Sequence, residues 1–234
     1  MKRLNWIFTL SSLNVLLVTV ERFSFTGKIL LQPYNFLRLH EIVQMTTLIL
    51  FTVLLPFFIL REITGNFAVI GEKKGFFLFL FFLIGVYFYA TGNGVHEIAS
   101  FLFNNYCDVR EVKGELCGNF FFNDYYTGNI FYFFGGALMV IPILLLEKYK
   151  QYIKFTKKDM TIALINACFY SLAIFAYAAF DRVLVGLIYT LFIALFSFYM
   201  FFQIRRNFLK YPVITYTTLA YCLGGFAALV VRVL

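Results

Sequence analysis

Charged side chains are scarce in this sequence. Asp, Glu, Lys and Arg make up 14% of its 234 residues and hydrophobic residues make up 62%, whereas soluble proteins average about 25% and roughly 45–50%. A soluble domain of this size cannot bury so much apolar surface, because its exterior would lack polar cover. The same composition, with only 15 Gly, 4 Pro and 4 Cys, excludes disordered, collagen-like and disulfide-rich chains. It therefore predicts a polytopic membrane protein.

Long apolar segments account for most of the hydrophobic residues. Seven of them can be marked, most near the roughly 20 residues that span a bilayer as a helix. They are continuously apolar rather than alternating, which favours helices over a β-barrel. We predict an all-α protein, a single integral-membrane domain over residues 1–234 built as a bundle of seven transmembrane helices. The predicted spans cover residues of about 4–20, 42–60, 75–95, 127–146, 160–180, 183–203 and 212–231.

The first segment has two interpretations. Met-Lys-Arg followed by an apolar stretch also resembles a secretory signal peptide. Ser11, Ser12 and Asn14 interrupt that stretch, however, and Glu21-Arg22 follows it without a small-residue cleavage pattern. These features favour a retained first helix over a signal peptide.

The distribution of Lys and Arg predicts the orientation of the bundle. The side of the membrane that holds the amino terminus carries 13 of these residues, and the opposite side carries 7. We therefore expect the amino terminus inside and the carboxyl terminus outside. Because the basic residues are spread over several short loops, the net charge of +8 is interpreted as a topological signal. It points to membrane lipid as a partner and not to nucleic acid. The expected location is the cell or plasma membrane.

Two predicted outer segments are long enough to have structure. Residues 21–41 remain apolar and are expected to lie along the membrane interface. Residues 104–126 form the most polar part of the chain and contain Cys107 and Cys117. A disulfide between these cysteines fits an oxidising outer compartment, with two free thiols as the alternative.

The two histidines of the chain fall at one predicted membrane face. His40-Glu41 opens the second span and His96-Glu97 closes the third, so both pairs lie at the outer side. Asp124 precedes the fourth span, also at the outer side. Gly92-Asn93-Gly94, directly before His96, is expected to loosen or break the third helix.

These residues predict a polar pocket near the outer leaflet. His40, His96 and Asp124 are a sufficient ligand set for a catalytic Zn²⁺ with an open water position. A glutamate would then act as the general base, and without a metal a His–Asp pair would act as acid and base. The expected reaction is attack of water on an ester, amide or phosphoester of a lipid or other amphiphile. The predicted catalytic residues are Glu97, Glu41, Asp124 and Ser100.

Other functions remain open at this point. Charged residues also occur at the ends of any membrane helix, where they are hydrated and set the depth of the span. Neither His-Glu-Ile-Val-Gln nor His-Glu-Ile-Ala-Ser completes the H-E-x-x-H zinc motif, and the chain has no P-loop. The alternatives are a non-enzymatic binder or transporter of a small amphiphile, and a membrane scaffold or assembly subunit.

Overall fold

The computed structural model describes residues 2–151, 153–204 and 207–234. Arg205 and Arg206, two of the basic residues behind the orientation prediction, lie outside the described residues. The described part of the chain contains two π-helical turns, Gln44–Leu48 and Asn123–Gly128. The α-helices of the described part are α1 (Arg3–Glu21), α2 (Leu39–Val43), α3 (Ile49–Ile63), α4 (Lys73–Tyr106), α5 (Gly114–Phe122), α6 (Asn129–Tyr149), α7 (Lys157–Phe180), α8 (Val185–Gln203) and α9 (Pro212–Val233).

Seven helical segments of the described chain are long and apolar enough to cross a membrane, which confirms the predicted all-α bundle. Two of them run through a π-helical turn, and the first joins α1 to the 3₁₀ turn that follows it. The segments are Arg3–Lys28, Leu39–Ile63, Lys73–Tyr106, Gly114–Tyr149, Lys157–Phe180, Val185–Gln203 and Pro212–Val233. The orientation of the termini remains a prediction.

The third membrane helix is longer than the predicted span of residues 75–95. Helix α4 runs without interruption from Lys73 to Tyr106, so the expectation of a break at Gly92-Asn93-Gly94 is wrong. A Cβ atom at Gly92 would lie 2.2 Å from the backbone nitrogen of Tyr132 on α6. Gly92 therefore permits a close helix approach rather than a bend.

Helices α4 and α6 pack backbone against backbone over several turns. A Cβ atom at Gly135 would lie 2.2 Å from the nitrogen of Tyr89, and one at Gly128 would lie 2.8 Å from the nitrogen of His96. Small residues let membrane helices approach this closely. The contact at Gly128 sets the second π-helical turn directly against His96.

The predicted polar loop at residues 104–126 is mostly helical. Helix α4 continues to Tyr106 and α5 begins at Gly114, which leaves a short connection between them. Cys107 and Cys117 lie at disulfide distance with their Cα atoms 5.8 Å apart. The bridge ties the start of α5 to the end of α4.

The segment between α1 and α2 folds back on itself. Residues Phe25–Lys28 form a 3₁₀ turn, and the backbone N–H of Leu31 donates to the carbonyl of Leu37 at 2.8 Å. The side chains of Phe23 and Tyr34 are exposed. Large exposed apolar side chains in this position fit the predicted interfacial segment.

A buried carboxylate at the opposite end of the bundle holds the start of α9. Both oxygens of Glu147 accept hydrogen bonds from α9, from the backbone N–H of Val213 at 2.9 Å and of Ile214 at 2.7 Å. The first N–H groups of a helix have no partner within the helix, and a carboxylate there satisfies them. Glu147 therefore has a structural role.

Candidate functional site

Polar side chains from α1, α2, α4 and both π-helical turns converge at one end of the bundle. These side chains are buried or half-buried in the described structure. Ionisable groups at membrane depth are costly, and they usually mark a functional site. We call this group the histidine cluster; its members are Glu21, His40, Gln44, His96, Glu97 and Asp124.

The imidazole of His40 lies between two carboxylates. Its Nδ1 is hydrogen-bonded to Oε2 of Glu21, and its Nε2 lies 3.9 Å from Oε2 of Glu97. An ionised carboxylate only accepts hydrogen bonds, so Nδ1 of His40 donates and carries the proton. The carboxylate thereby fixes the ring orientation and leaves Nε2 for acid or base chemistry.

Glu21 is held in place by further hydrogen bonds. The amide of Gln44 donates to Oε2 of Glu21 at 3.0 Å and to the carbonyl of Val18 at 3.0 Å. The hydroxyl of Thr26 donates to Oε1 of Glu21. The end of α1, the following 3₁₀ turn and the first π-helical turn are therefore joined at the carboxylate that orients His40.

The second histidine lies against Asp124, and its hydrogen bond is to the backbone of that residue. Nδ1 of His96 lies 2.8 Å from Oδ1 of Asp124 and 3.1 Å from its backbone carbonyl oxygen. Both oxygens are acceptors, so Nδ1 of His96 also carries a proton. The side chain of Asp124 is 2% exposed and that of His96 is 27% exposed, which leaves the imidazole as the accessible member of the pair.

Both π-helical turns carry members of the histidine cluster. Gln44 begins the first turn, and Asp124 lies in the second. π-helical turns inside helices are rare and occur frequently at functional sites. Two of them at one end of the bundle therefore mark the histidine cluster as the candidate site.

Glu41 and Ser100 make their hydrogen bonds elsewhere. Oε2 of Glu41 accepts from the backbone N–H of Arg38 at 2.9 Å, and its Oε1 forms a salt bridge with the guanidinium of the same residue. Glu41 therefore caps the start of α2. The Oγ atom of Ser100 accepts from the amide of Asn104 at 3.2 Å. The structure gives these two predicted catalytic residues local structural partners, whereas Glu97 joins the cluster.

The predicted metal site is not supported by this geometry. In the part of the chain that the structure describes, no three or more His, Cys, Asp or Glu side chains are grouped so that they could hold a metal ion. His40 is paired with Glu21 and Glu97, while His96 is paired with Asp124. The two imidazoles thus belong to separate pairs instead of sharing Asp124 as a third ligand.

A second set of hydrogen bonds surrounds the cluster. The amide of Asn129 donates to Oδ2 of Asp181 at 3.1 Å, and the guanidinium of Arg232 donates to the backbone carbonyl of Asp181 at 2.6 Å. Burial raises the pKa of the Asp181 carboxyl, although hydrogen bonds from the backbone of Val183 and Arg182 oppose that shift. These contacts join α6, α7 and α9 at the same end as the histidines.

Sequence reasoning missed Glu21 and Gln44 as cluster members, and it missed Thr26 as a hydrogen-bond partner of Glu21. One signal was present: an acid that ends the first span must lie at the same face as a histidine that opens the second. The pairing itself depends on how the segment between α1 and α2 folds back, which residue spacing does not encode.

A separate cavity of about 80 Å³ lies within the bundle among α1, α3, α6, α7 and α9. Most of its lining is aliphatic, as is typical of sites for small apolar molecules. Its polar lining includes Ser11, Asn14, Thr52, Tyr170 and Thr217. None of the histidine-cluster residues lines it.

The chain was compared with known proteins. No protein-family model matches it, and neither the curated proteins nor the solved structures include a significant match.

Proposed function

We propose that this multi-pass membrane protein is a hydrolase that acts on a lipid or other amphiphile at the histidine cluster. The observation that carries the proposal is the shared geometry of the two histidines: Nδ1 of each imidazole faces a carboxylate, Glu21 for His40 and Asp124 for His96. A carboxylate at Nδ1 holds an imidazole in one tautomer and stabilises its protonated form. This is the arrangement that general acid–base catalysis needs.

We assign the roles of the two histidines from the exposure and the contacts of their rings. His96 is the more accessible imidazole, so its Nε2 is assigned to take a proton from the attacking water. His40 is assigned to start protonated at Nε2, beside Glu97, and to give that proton to the leaving group. Between turnovers His96 releases its proton to water and His40 takes one up. Glu21 and Asp124 are positioning residues that act through the two rings. No step of this scheme passes through a metal ion.

The substrate class follows from where the cluster lies. It occupies the end of a membrane-spanning bundle, beside the exposed apolar segment that contains Phe23 and Tyr34. The polar head of an amphiphile lies at this level of a bilayer, while its apolar part stays in the hydrocarbon region. Esters, amides and phosphoesters of such molecules are therefore the proposed substrates.

The proposal is tested by hydrolysis in reconstituted vesicles. The protein is incorporated into vesicles of phosphatidylcholine and phosphatidylglycerol that contain 4-methylumbelliferyl heptanoate, and products of the ester and of both lipids are measured. His96→Gln and His40→Gln are each expected to lower turnover by about 10²–10⁴-fold. The matched control Asp108→Asn changes an exposed loop carboxylate and should leave turnover unchanged. Turnover that survives both histidine substitutions would contradict the proposal.

A second candidate is a non-catalytic binder of a small amphiphile. The cavity within the bundle favours it, because a binder needs an apolar compartment and no reactive group. The same vesicles discriminate between the two functions. A binder retains the intact ester and releases no product, whereas the hydrolase releases 4-methylumbelliferone or a lysolipid.

A further inference from the structure

The acidic groups of the histidine cluster outnumber its imidazoles. Glu21, Glu97 and Asp124 supply three carboxylates, whereas two imidazole rings face them. Two imidazolium ions would balance two of the carboxylates. When the ring of His96 is neutral, as the proposed reaction requires, only one is balanced. Because buried charges need partners of opposite sign, the cluster is complementary to one further cation.

The carboxylate of Glu97 has no hydrogen bond among the described residues. Nε2 of His40 lies 3.9 Å from its Oε2, which is too long for a hydrogen bond. Glu21, by contrast, accepts hydrogen bonds from Thr26 and Gln44. Glu97 is 8% exposed, so bulk water has little access to it. Since an ionised carboxylate only accepts hydrogen bonds, Glu97 needs donors from a bound group.

A second unpaired polar group lies one helical turn away. Asn93 precedes Glu97 by four residues on α4, so the two side chains lie on the same face of that helix. Asn93 is 5% exposed, and its amide has no hydrogen-bond partner in the part of the chain that the structure describes. Its amide oxygen is a further acceptor. The two side chains together suit a cation that carries several N–H bonds.

The side chain of Arg22 does not supply these donors. Arg22 is exposed, and its charge acts on Glu97 from the surface. Its guanidinium makes neither a hydrogen bond nor a salt bridge with any described residue. An exposed charge is screened by water and salt, so it does not replace a donor in contact with the carboxylate.

We propose that Glu97 binds a primary ammonium group of the substrate, with Asn93 as a second acceptor. This inference names the substrate class of the proposed hydrolase and rests on that function: the substrate is an ester of an amino alcohol. An ammonium group is a compact charge with three hydrogen-bond donors. A trimethylammonium group has the same charge and no donor, so it does not satisfy the two side chains.

The spacing of His40 and Glu97 fits an ester of a 1,2-amino alcohol. Nε2 of His40, which gives its proton to the ester oxygen, lies 3.9 Å from Oε2 of Glu97. In such an alcohol three bonds of about 1.5 Å each join the oxygen to the nitrogen, and they span at most about 4 Å. One head group therefore reaches both side chains.

The reaction releases the amino alcohol. The oxygen of water bonds to the acyl or phosphoryl centre while its proton passes to His96. The bond from that centre to the alcohol oxygen breaks, and this oxygen takes the proton of His40. The products are the amino alcohol and the acid, and no oxidant or further reactant is needed.

The test measures head-group preference without turnover. The protein in phosphatidylcholine nanodiscs at pH 7 binds tritium-labelled 2-(dodecyloxy)ethylamine, an ether that cannot be hydrolysed as an ester. The unlabelled amine, its trimethylammonium analogue and 2-(dodecyloxy)ethanol then compete, at concentrations corrected for partition into empty nanodiscs. We expect the amine to compete about 10–100-fold more strongly than either analogue. Equal competition by the three compounds would overturn the proposal.

Matched variants locate the preference. Glu97→Gln should reduce the competition ratio about tenfold or more, and Asn93→Ala should reduce it about three- to tenfold. The control Glu115→Gln changes an exposed glutamate in the first turn of α5 and should leave the ratio unchanged. Thermal unfolding shows whether each variant is folded, and Asn93→Ala carries the test if Glu97→Gln does not fold. A ratio that is unchanged in the folded cluster variants would also overturn the proposal.

This assay separates the inference from the hydrolase on which it rests. Ester hydrolysis in the vesicles without an ammonium preference in the nanodiscs would overturn the amino-alcohol assignment and leave the hydrolase standing. An ammonium preference without any hydrolysis would support recognition by Glu97 and contradict the hydrolase.

Discussion

Nε2 of His40 lies 3.9 Å from Oε2 of Glu97, while Nδ1 of the same ring is hydrogen-bonded to Glu21. The imidazole thus joins carboxylates from α4 and α1, two helices that are separated in sequence. Its protonation state decides whether these two acids are bridged by a cation or separated by a neutral ring. This relationship links helix packing at this end of the bundle to the acid–base chemistry proposed there.

The contacts of Glu21 give the first prediction. Glu21→Gln removes the charge that faces Nδ1 of His40 and weakens the hydrogen bonds from Thr26 and Gln44. Hydrogen bonds to charged groups contribute about 1.5–3 kcal/mol each, so we expect the free energy of unfolding to fall by about that amount. Thermal unfolding in detergent measures it. The control Glu111→Gln alters an exposed salt bridge with Lys113 and should change little; equal effects of the two substitutions would contradict the assignment.

Two glycines on α4 form a natural pair for comparison. Gly92→Ala would place a Cβ atom 2.2 Å from the backbone nitrogen of Tyr132, whereas Gly94→Ala meets no atom within 4 Å. Overpacking typically costs about 1–3 kcal/mol, so Gly92→Ala should destabilise the protein by that amount. Gly94→Ala should be neutral or stabilising by up to about 1 kcal/mol, because alanine favours a helix. The reverse order in a thermal unfolding experiment would mean that α4 and α6 do not pack at Gly92.

The buried cap of α9 gives a third prediction. Glu147→Gln leaves one acceptor oxygen where two backbone N–H groups now donate, and the new amide NH₂ faces a donor. We expect a loss of about 1–3 kcal/mol in the free energy of unfolding. The matched control is Glu115→Gln, which changes an exposed glutamate in the first turn of α5. Chemical unfolding should separate the two variants; similar losses in both would exclude a special role for Glu147.

The raised pKa of Asp181 predicts that the stability of the folded protein depends on pH. Burial raises the pKa of its carboxyl in the folded protein, so the unfolded chain releases this proton at a lower pH than the folded one. Stability should therefore fall as the pH rises from the ordinary Asp value of about 3.9 through the raised value. Asp181→Asn should lack this contribution. The unmodified protein should therefore lose stability relative to the variant as the pH rises from 4 to 7.

Unfolding curves of the unmodified protein and of Asp181→Asn at pH 4 and pH 7 measure this difference. The control Asp108→Asn changes an exposed loop carboxylate and should not reproduce the shift toward the variant. A difference for Asp181→Asn that stays constant across the range, or that shifts toward the unmodified protein at pH 7, would contradict the effect of burial.

The bundle and the location of its polar end follow from the sequence for a simple reason. The thickness of a bilayer fixes the length of a spanning helix, so apolar segments give both the number of helices and the face at which each one ends. That rule places His40, His96 and Asp124 at the same face. It misplaces the end of α4, because that helix continues beyond its apolar stretch, where polar partners pair its side chains.

The pairing within the cluster depends on information that the sequence spacing lacks. His40 pairs with Glu21 rather than Asp124 because the folded-back segment between α1 and α2 sets which side chains meet. Glu41 points about 100° away from His40 on the helix, where Arg38 pairs with it. The π-helical turn that positions Asp124 inserts an extra residue into the helix, and no residue type predicts it.

Because the chain has only two histidines, ¹⁵N NMR of protein labelled at histidine and held in lipid bilayers tests the central claim most directly. The account predicts that at neutral pH both imidazoles carry a proton on Nδ1, held by Glu21 and Asp124. Glu21→Gln should shift only the signal of His40, and Asp124→Asn only that of His96. An unprotonated Nδ1 on either ring, or signals that do not respond to the substitution of the paired carboxylate, would contradict the account.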